Sequence, residues 1–268
     1  MILSIIIPTY NRNELLKICL DRLHPDIQRL NSEFYEVIVS DDSEQNNAKE
    51  LIENNYSWVR WISGKKKGPA CNRNNGAKQS EGKWLIFLDD DVIPDKSILN
   101  NYFFAVKAHS EIKVFEGYVN ADRPKQRFDE ESPINISGGN LWSCNFMIER
   151  ELFFDLKGFD ETFPYAAMED IDFHKRIKNK GVSIHFLKDC KVIHPWRRVF
   201  AFKTIKKHFL SHKHFKKRHF KSLDYRSMRI KVFLGGLAPM FKELIKYRCR
   251  GFLLFLDRSV LNFILIFA

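Results

Sequence analysis

At 268 residues, 44% hydrophobic and 14% aromatic, the chain can bury a sizeable core as one large domain, or as one domain with an appendage, and is not of the disordered class. Its formal charge of +11 is unevenly placed: residues 1–196 hold 26 Lys/Arg against 30 Asp/Glu, and residues 197–250 hold 17 against 2. A mildly acidic body therefore carries a strongly basic C-terminal stretch, which points to a polyanion or an anionic membrane surface touching that stretch and excludes a protein that is basic throughout.

The chain opens on "MILSIIIPTYNR", an apolar run with no basic residues before it and closed early by Pro8, so it reads as a buried strand and not as a targeting segment. An amphipathic helix is expected over 13–23. "EVIVSDD" is a second strand, 45–55 a polar helix, "WVRWIS" a third strand, 69–80 a helix, "KWLIFLDDD" a fourth strand and 96–107 another helix. Short apolar runs separated by helical stretches predict βαβ units: an α/β fold with a mixed, mainly parallel sheet and helices on both faces. Residues 121–140 lose periodicity and read as a loop region. A helix over 169–180 and a strand "VSIHFL" follow. The five cysteines are scattered, odd in number and without C-x-x-C spacing, which argues against a disulfide framework or a zinc ribbon and for a reducing compartment.

In open α/β sheets ligands bind beyond the carboxyl ends of the strands. Three strand ends here are polar: "PTYNR", Asp41–Asp42 and Asp89–Asp91. Grouped carboxylates repel unless hydrated or neutralised. The aspartate trio is either an exposed acidic turn or a site for a divalent cation such as Mg²⁺ or Mn²⁺, whose hard-oxygen preference it suits.

"SIIIPTYNR", "VIVSDDS", "GPACNRNNGAKQSEGKWLIFLDDDVIPD", "GFDETF" and "MEDIDFHKR", in this order, resemble the inverting family 2 glycosyltransferases of GT-A fold over roughly residues 1–195. The resemblance implies a nucleotide-diphosphate sugar donor, by analogy UDP-linked, and a divalent metal. Pro8, Tyr10 and Asn11 would line the nucleotide pocket, with Tyr10 against the base. Asp42, with Asp41 beside it, would hydrogen-bond a uracil-type edge, and Asn72, Arg73 and Asn74 would lie near the base and diphosphate. Asp89 would face ribose or metal and Asp91 would bind the metal directly, with Asp90 more structural. Asp170 takes the position of the family's base, the group that removes the acceptor's proton.

Other readings stay open at several of these positions. Three acids at the start of the 169–180 helix also suit its dipole, so Glu169 either caps the helix or joins the acceptor side. His194 is either a packed or capping histidine or a further metal ligand. Trp142 and Asn145 lie where such enzymes build the sugar and acceptor pocket. The chain departs from the family pattern in Cys144 of "SCNF" and in "LKGFDE", which lacks a doubled glycine; both bear on the acceptor side.

The expected division is a nucleotide-sugar-binding and catalytic domain over 1–196 and a basic amphipathic helical extension over 197–268. "FKTIKKHFLSHKHFKKRHFKS" (202–222) suits an anionic membrane, nucleic acid, a metal at His208 and His212, or a solvated helix; the membrane reading is preferred. "GFLLFLDRSVLNFILIFA" is interrupted by Asp257 and Arg258, which a spanning helix would have to bury, so an in-plane helix pair is expected. The protein would then act peripherally on the cytoplasmic face of a membrane, passing a sugar to a lipid-linked or growing-glycan acceptor in surface polysaccharide synthesis. The rivals are a nucleic-acid-binding protein acting through its basic stretch, and a nucleotidyltransferase. The latter lacks its expected Gly-rich phosphate loop, since "PTYNRNE" has no glycine.

Overall fold

A computed structural model describes residues 2–45, 47–202 and 205–267. In chain order the strands are β1 Leu3–Thr9, β2 Tyr35–Asp41, β3 Val59–Ser63, β4 Trp84–Leu88, β5 Ile93–Pro94, β6 Val114–Asn120, β7 Glu130–Glu131, β8 Asn145–Glu149, β9 Ile184–Ile193 and β10 Arg197–Arg198. The helices are α1 Asn13–Leu23, α2 Pro25–Gln28, α3 Lys49–Asn55, α4 Pro69–Gln79, α5 Ile98–Ala108, α6 Arg150–Asp155, α7 Glu169–Asn179, α8 Ile205–His219, α9 Ser222–Lys246 and α10 Phe252–Ile264. Two compact units form. The first takes the chain up to Asp122 with Pro133–Glu161 and Glu169–Pro195; the second takes Arg123–Ser132, Thr162–Met168 and Trp196 onward.

The first unit is built on an eight-stranded sheet in the order β3-β2-β1-β4-β8-β6-β9-β5. The four strands from β3 to β4 run parallel, β8 is antiparallel to both β4 and β6, and β6 pairs parallel with β9. All seven residues of β1 are buried because successive side chains enter opposite layers. Leu3, Ile5 and Ile7 pack with α1 and α5 through Leu16, Leu20, Leu99 and Tyr102. Ile6 points the other way, into a layer with Phe87, Phe153, Phe159 and Phe173. The chain leaves β1 toward β2 on one side and returns to β4 on the other, so the ends of β1 and β4 flank a topological switch point.

The parallel βαβ reading holds, with differences of detail. The helix expected over 45–55 runs only from Lys49, because Asp41 organises the residues before it; Asn46 lies outside the described residues. The strand read as "VSIHFL" continues to Ile193 across a register shift against β6 at Gly117/Tyr118. Within 121–140, Asn135 bridges Val119 and Glu130–Glu131 forms a short strand with β10.

The second unit has its own apolar cluster, with Phe128, Leu244 and Leu254 at its centre. Gly251, between α9 and α10, has φ +101°, and a Cβ there would meet the Asp129 backbone nitrogen at 2.6 Å, so this turn needs glycine. Of the basic stretch read over 202–222, Lys203 and Thr204 lie outside the described residues, and α8 begins at Ile205. No helix among the described residues is long and apolar enough to cross a membrane.

Candidate active site

The loops after β1, β2 and β4 meet the N-termini of α4 and α7. After β1, Asn11 adopts φ +52°, a left-handed conformation that Asn tolerates better than most residues, and its N–H donates to Ser43 Oγ at 2.7 Å. That turn leaves Tyr10 59% exposed, as a free aromatic face. Pro8 is buried two residues earlier, in register with Ser40.

The two acids after β2 have different surroundings. Asp41 accepts from the N–H groups of Ser43 (2.9 Å) and Ala48 (2.6 Å) and from Trp61 Nε1 (3.2 Å), so its two oxygens hold the backbone at Ser43 and at Ala48. Asp42 accepts from the N–H groups of Lys66 (3.0 Å) and Gly68 (2.9 Å). Burial raises its pKa, against the pull of those two donors. Gly64 permits this packing: a Cβ there would lie 2.1 Å from Asp42 Oδ1 and 2.6 Å from Asn72 Oδ1.

Asn72 is buried and ties two strand ends together, donating to the carbonyls of Ser40 (2.7 Å) and Thr9 (3.3 Å). The next residue of α4, Arg73, is 4% exposed, places a terminal nitrogen 2.6 Å from Asp89 Oδ1 and approaches Glu169 Oε1 at 3.8 Å. Burial works against its charge, but Asp89, Asp170 and Glu169 more than offset this and hold it firmly protonated.

Beyond β4, the acidic trio is neutralised from within. Arg12 donates to Asp90 Oδ1 and to Asp91 Oδ2, each at 3.0 Å, and Thr9 Oγ1 donates to Asp90 Oδ2 at 2.7 Å. Asp90 is 3% exposed, and burial pushes its pKa up to about 6 despite Arg12 and Thr9. The extension of β9 brings His194 to the same place, with Nε2 3.3 Å from Asp91 Oδ1. Burial lowers the His194 pKa, but the hydrogen bond to Asp91 and the charges of Asp91 and Asp89 together outweigh it, and the net shift is upward. Asp89, Asp91 and His194 each offer a ligand atom, all within 4.8 Å of one another. Two carboxylates and an imidazole at that spacing fit a Mn²⁺- or Mg²⁺-type ion.

Asp170 lies in the first turn of α7. Its Oδ2 accepts from the N–H (3.3 Å) and the hydroxyl (3.1 Å) of Ser143, while its Oδ1 is buried and accepts no hydrogen bond from any described residue. Burial raises its pKa; Arg73 pulls it back and Asp89 adds to the rise. Glu169 beside it is buried, facing Arg73. Trp142 is half-buried and donates from Nε1 to the carbonyl of Ile134.

Asn145, expected on the acceptor side, stands elsewhere. It is 1% exposed, accepts from Tyr102 OH at 2.8 Å and donates to the carbonyls of Tyr118 (3.0 Å) and Cys190 (2.9 Å). The amide fills hydrogen-bonding needs inside the sheet where Gly117 leaves room, since a Cβ at that glycine would sit 2.2 Å from Asn145 Nδ2. Arg12 and Ser143 were given no role in the sequence. For Arg12 the signal was present: buried neighbouring acids require a cation, and it follows the adjoining strand end.

A sequence profile described as "Glycosyl transferase family 2" matches residues 4–157. The chain belongs to that family. A profile described as "N-terminal domain of galactosyltransferase" matches residues 127–203. Among curated relatives, this family 2 member is 30% identical over 191 residues to an uncharacterized glycosyltransferase of Haemophilus influenzae, covering 64% of this chain and 60% of that protein. It is 31% identical over 143 residues to a poly(ribitol-phosphate) beta-glucosyltransferase of Bacillus spizizenii, covering 50% and 22%. It is 35% identical over 94 residues to a GalNAc(5)-diNAcBac-PP-undecaprenol beta-1,3-glucosyltransferase of Campylobacter jejuni, covering 33% and 29%. The matches thus span less than two thirds of each of these relatives. Among solved structures, S. aureus TarS 1–349 superposes with a TM-score of 0.60 at 20% identity, covering 81% of this chain and 66% of that one. The same protein in complex with UDP-GlcNAc gives 0.59 at 21%, covering 81% and 67%. The fold is therefore the TarS-like GT-A arrangement, a mainly parallel α/β sheet with flanking and C-terminal helices.

Proposed function

We propose that this chain transfers a sugar from a nucleoside-diphosphate donor, UDP-linked, to the hydroxyl of a lipid-linked or growing-glycan acceptor, with inversion at the sugar carbon. The observation that carries this reading is the gathering of Asp89, Asp91 and His194, with Arg73 paired to Asp89 and also acting electrostatically on Asp170. Family membership supports the reaction class. The UDP-GlcNAc complex of TarS and the undecaprenol-linked name of the Campylobacter relative support the donor and acceptor classes by similarity.

In this mechanism Asp170 receives the acceptor's proton at Oδ1, while Ser143 fixes the carboxylate through Oδ2. The acceptor oxygen bonds to the anomeric carbon as the bond to the diphosphate oxygen breaks, and the nucleoside diphosphate leaves. Arg73 keeps its charge and offers a buried cation beside the developing negative charge. A divalent cation bound by Asp89, Asp91 and His194 would stabilise charge on the leaving diphosphate. Tyr10 supplies a stacking face for the base, and Asp42, with Asn72 bracing the strand ends, borders its edge. Asp41 and Asp90 act through the loops they hold. Glu169 and Trp142 border the acceptor side.

The scattered cysteines favour a reducing compartment, which supports a reaction on the cytoplasmic face of a membrane. A thermal-shift panel of UDP, GDP, CDP and their sugars, with and without Mn²⁺, tests the donor reading, since ligands of the native state raise the midpoint. UDP and its sugars should shift it most, and Mn²⁺ should enlarge that shift. A midpoint unmoved by every nucleotide would sink the reading.

A further inference from the structure

The second unit carries an arrangement that sugar transfer does not require. On α9, Leu223, Ile230, Leu234, Phe241 and Ile245 are all exposed, Leu223 by 81% and Leu234 by 67%. At the ~100° per residue of an α-helix, these five fall within one narrow strip along the whole helix. On α10 and its final turn, Leu253, Leu256, Val260, Phe263 and Phe267 form a second exposed strip by the same geometry. The two helices run antiparallel, and members of each strip touch the other helix: Phe241 meets Phe255, and Phe263 meets Phe233. The strips are therefore neighbours in one hairpin.

The charges that interrupt the apolar C-terminal segment are turned away from this face. Asp257 is 2% exposed and accepts from the N–H of Phe202 at 3.0 Å, and Arg258 pairs with Glu131. The hairpin thus keeps an apolar side despite a charged pair in mid-helix. Around it the unit is basic: Lys206, Lys213 and Lys217 on α8 and Lys231, Lys242 and Lys246 on α9 are exposed. Lys231, Lys242 and Lys246 follow one flank of the α9 strip, with Asp224 the acid on that side, and Arg226 lies on the other flank.

We infer that the α9–α10 hairpin is an in-plane membrane anchor whose two apolar strips enter the acyl-chain boundary of a bilayer rich in anionic phospholipid while the flanking lysines meet its headgroups. Exposed apolar strips of this extent need a cover. The excess of basic over acidic residues, 17 against 2 over residues 197–250, selects an anionic cover. Neither helix is long and apolar enough to span, so the geometry is parallel to the surface. The inference extends the reading of a lipid-linked acceptor, but rests on the second unit alone.

The test is co-sedimentation of the full chain with vesicles of phosphatidylcholine alone and of phosphatidylcholine mixed with phosphatidylglycerol. Binding to the mixed vesicles should be at least about tenfold stronger, and high salt should erase the difference. The double variant Leu234→Glu, Val260→Glu should bind mixed vesicles at least about tenfold more weakly, because each change withdraws one buried apolar side chain. Its UDP-induced thermal shift should remain, which keeps failure of the anchor distinct from failure of the donor reading. A Leu234→Trp variant should show fluorescence quenching by brominated acyl chains. No binding by the unaltered chain, undiminished binding by the double variant, or no quenching would overturn the anchor. So would a dimer in light scattering that the double variant dissolves, since the strips would then belong to a second copy.

Discussion

Ser143 holds Asp170 by one oxygen only: its N–H at 3.3 Å and its hydroxyl at 3.1 Å both donate to Oδ2. If Oδ1 takes the acceptor's proton, Asp170→Asn should leave UDP-sugar binding intact and lower transfer by about 10²–10⁴-fold. Ser143→Ala should act as a positioning change. Ser143 lowers the Asp170 pKa, so losing its hydroxyl should move the acidic limb of the rate profile to higher pH while UDP affinity stays. Transfer at the unaltered rate in Asp170→Asn would remove it as base.

Arg12 occupies two of the three aspartates that end β4. Its positive charge opposes a second cation at Asp91, so Arg12→Gln should tighten Mn²⁺ binding by about tenfold, a Coulomb effect over a few ångströms in a partly wet site. Without metal the same change should cost about 1 kcal/mol of stability, small because Arg12 is 44% exposed. Mn²⁺ titration by electron paramagnetic resonance reads the first effect and urea unfolding in chelator the second. Unchanged or weaker Mn²⁺ binding would show that Arg12 does not compete.

Asp90 gives a pH dependence of stability. Its folded pKa of about 6 lies above the ordinary 3.8, so the protonated form is the one the fold prefers. Its contribution is fully present below pH 3.8 and is lost as pH rises through about 6. The full effect is on the order of 3 kcal/mol. Urea midpoints between pH 4 and 7 should fall more steeply in the unaltered chain than in Asp90→Asn, both in chelator. Parallel slopes would refute the assignment.

The parallel half of the sheet was legible because β1, β2 and β4 are buried on both faces and read as unbroken apolar runs. β6 was missed for a physical reason: its centre carries Glu116, buried and accepting from Gly139 N–H at 2.6 Å, and Gly117, kept small for Asn145. β9 was cut short because Lys188 and Asp189 fall at its register shift, so its two apolar halves look unrelated. That shift also delivers His194, which explains why the sequence alone left its role open. Asp89 and Asp91 were visible as acids at a strand end, whereas their meeting with His194 depends on a strand pairing that no local pattern encodes.

Asn145 allows a packing role to be separated from a binding role. Asn145→Ala would strip an acceptor from Tyr102 OH and a donor from the carbonyls of Tyr118 and Cys190, all inside the sheet. Leaving such buried groups unsatisfied costs about 1–3 kcal/mol each, with partial relief by relaxation or an entering water, so a loss of about 3 kcal/mol is expected. Urea unfolding should show that loss, while the folded fraction keeps its KM for the acceptor. A variant with unaltered stability and a raised acceptor KM would return Asn145 to the acceptor pocket, because a side chain whose removal leaves the sheet intact was not filling its bonds.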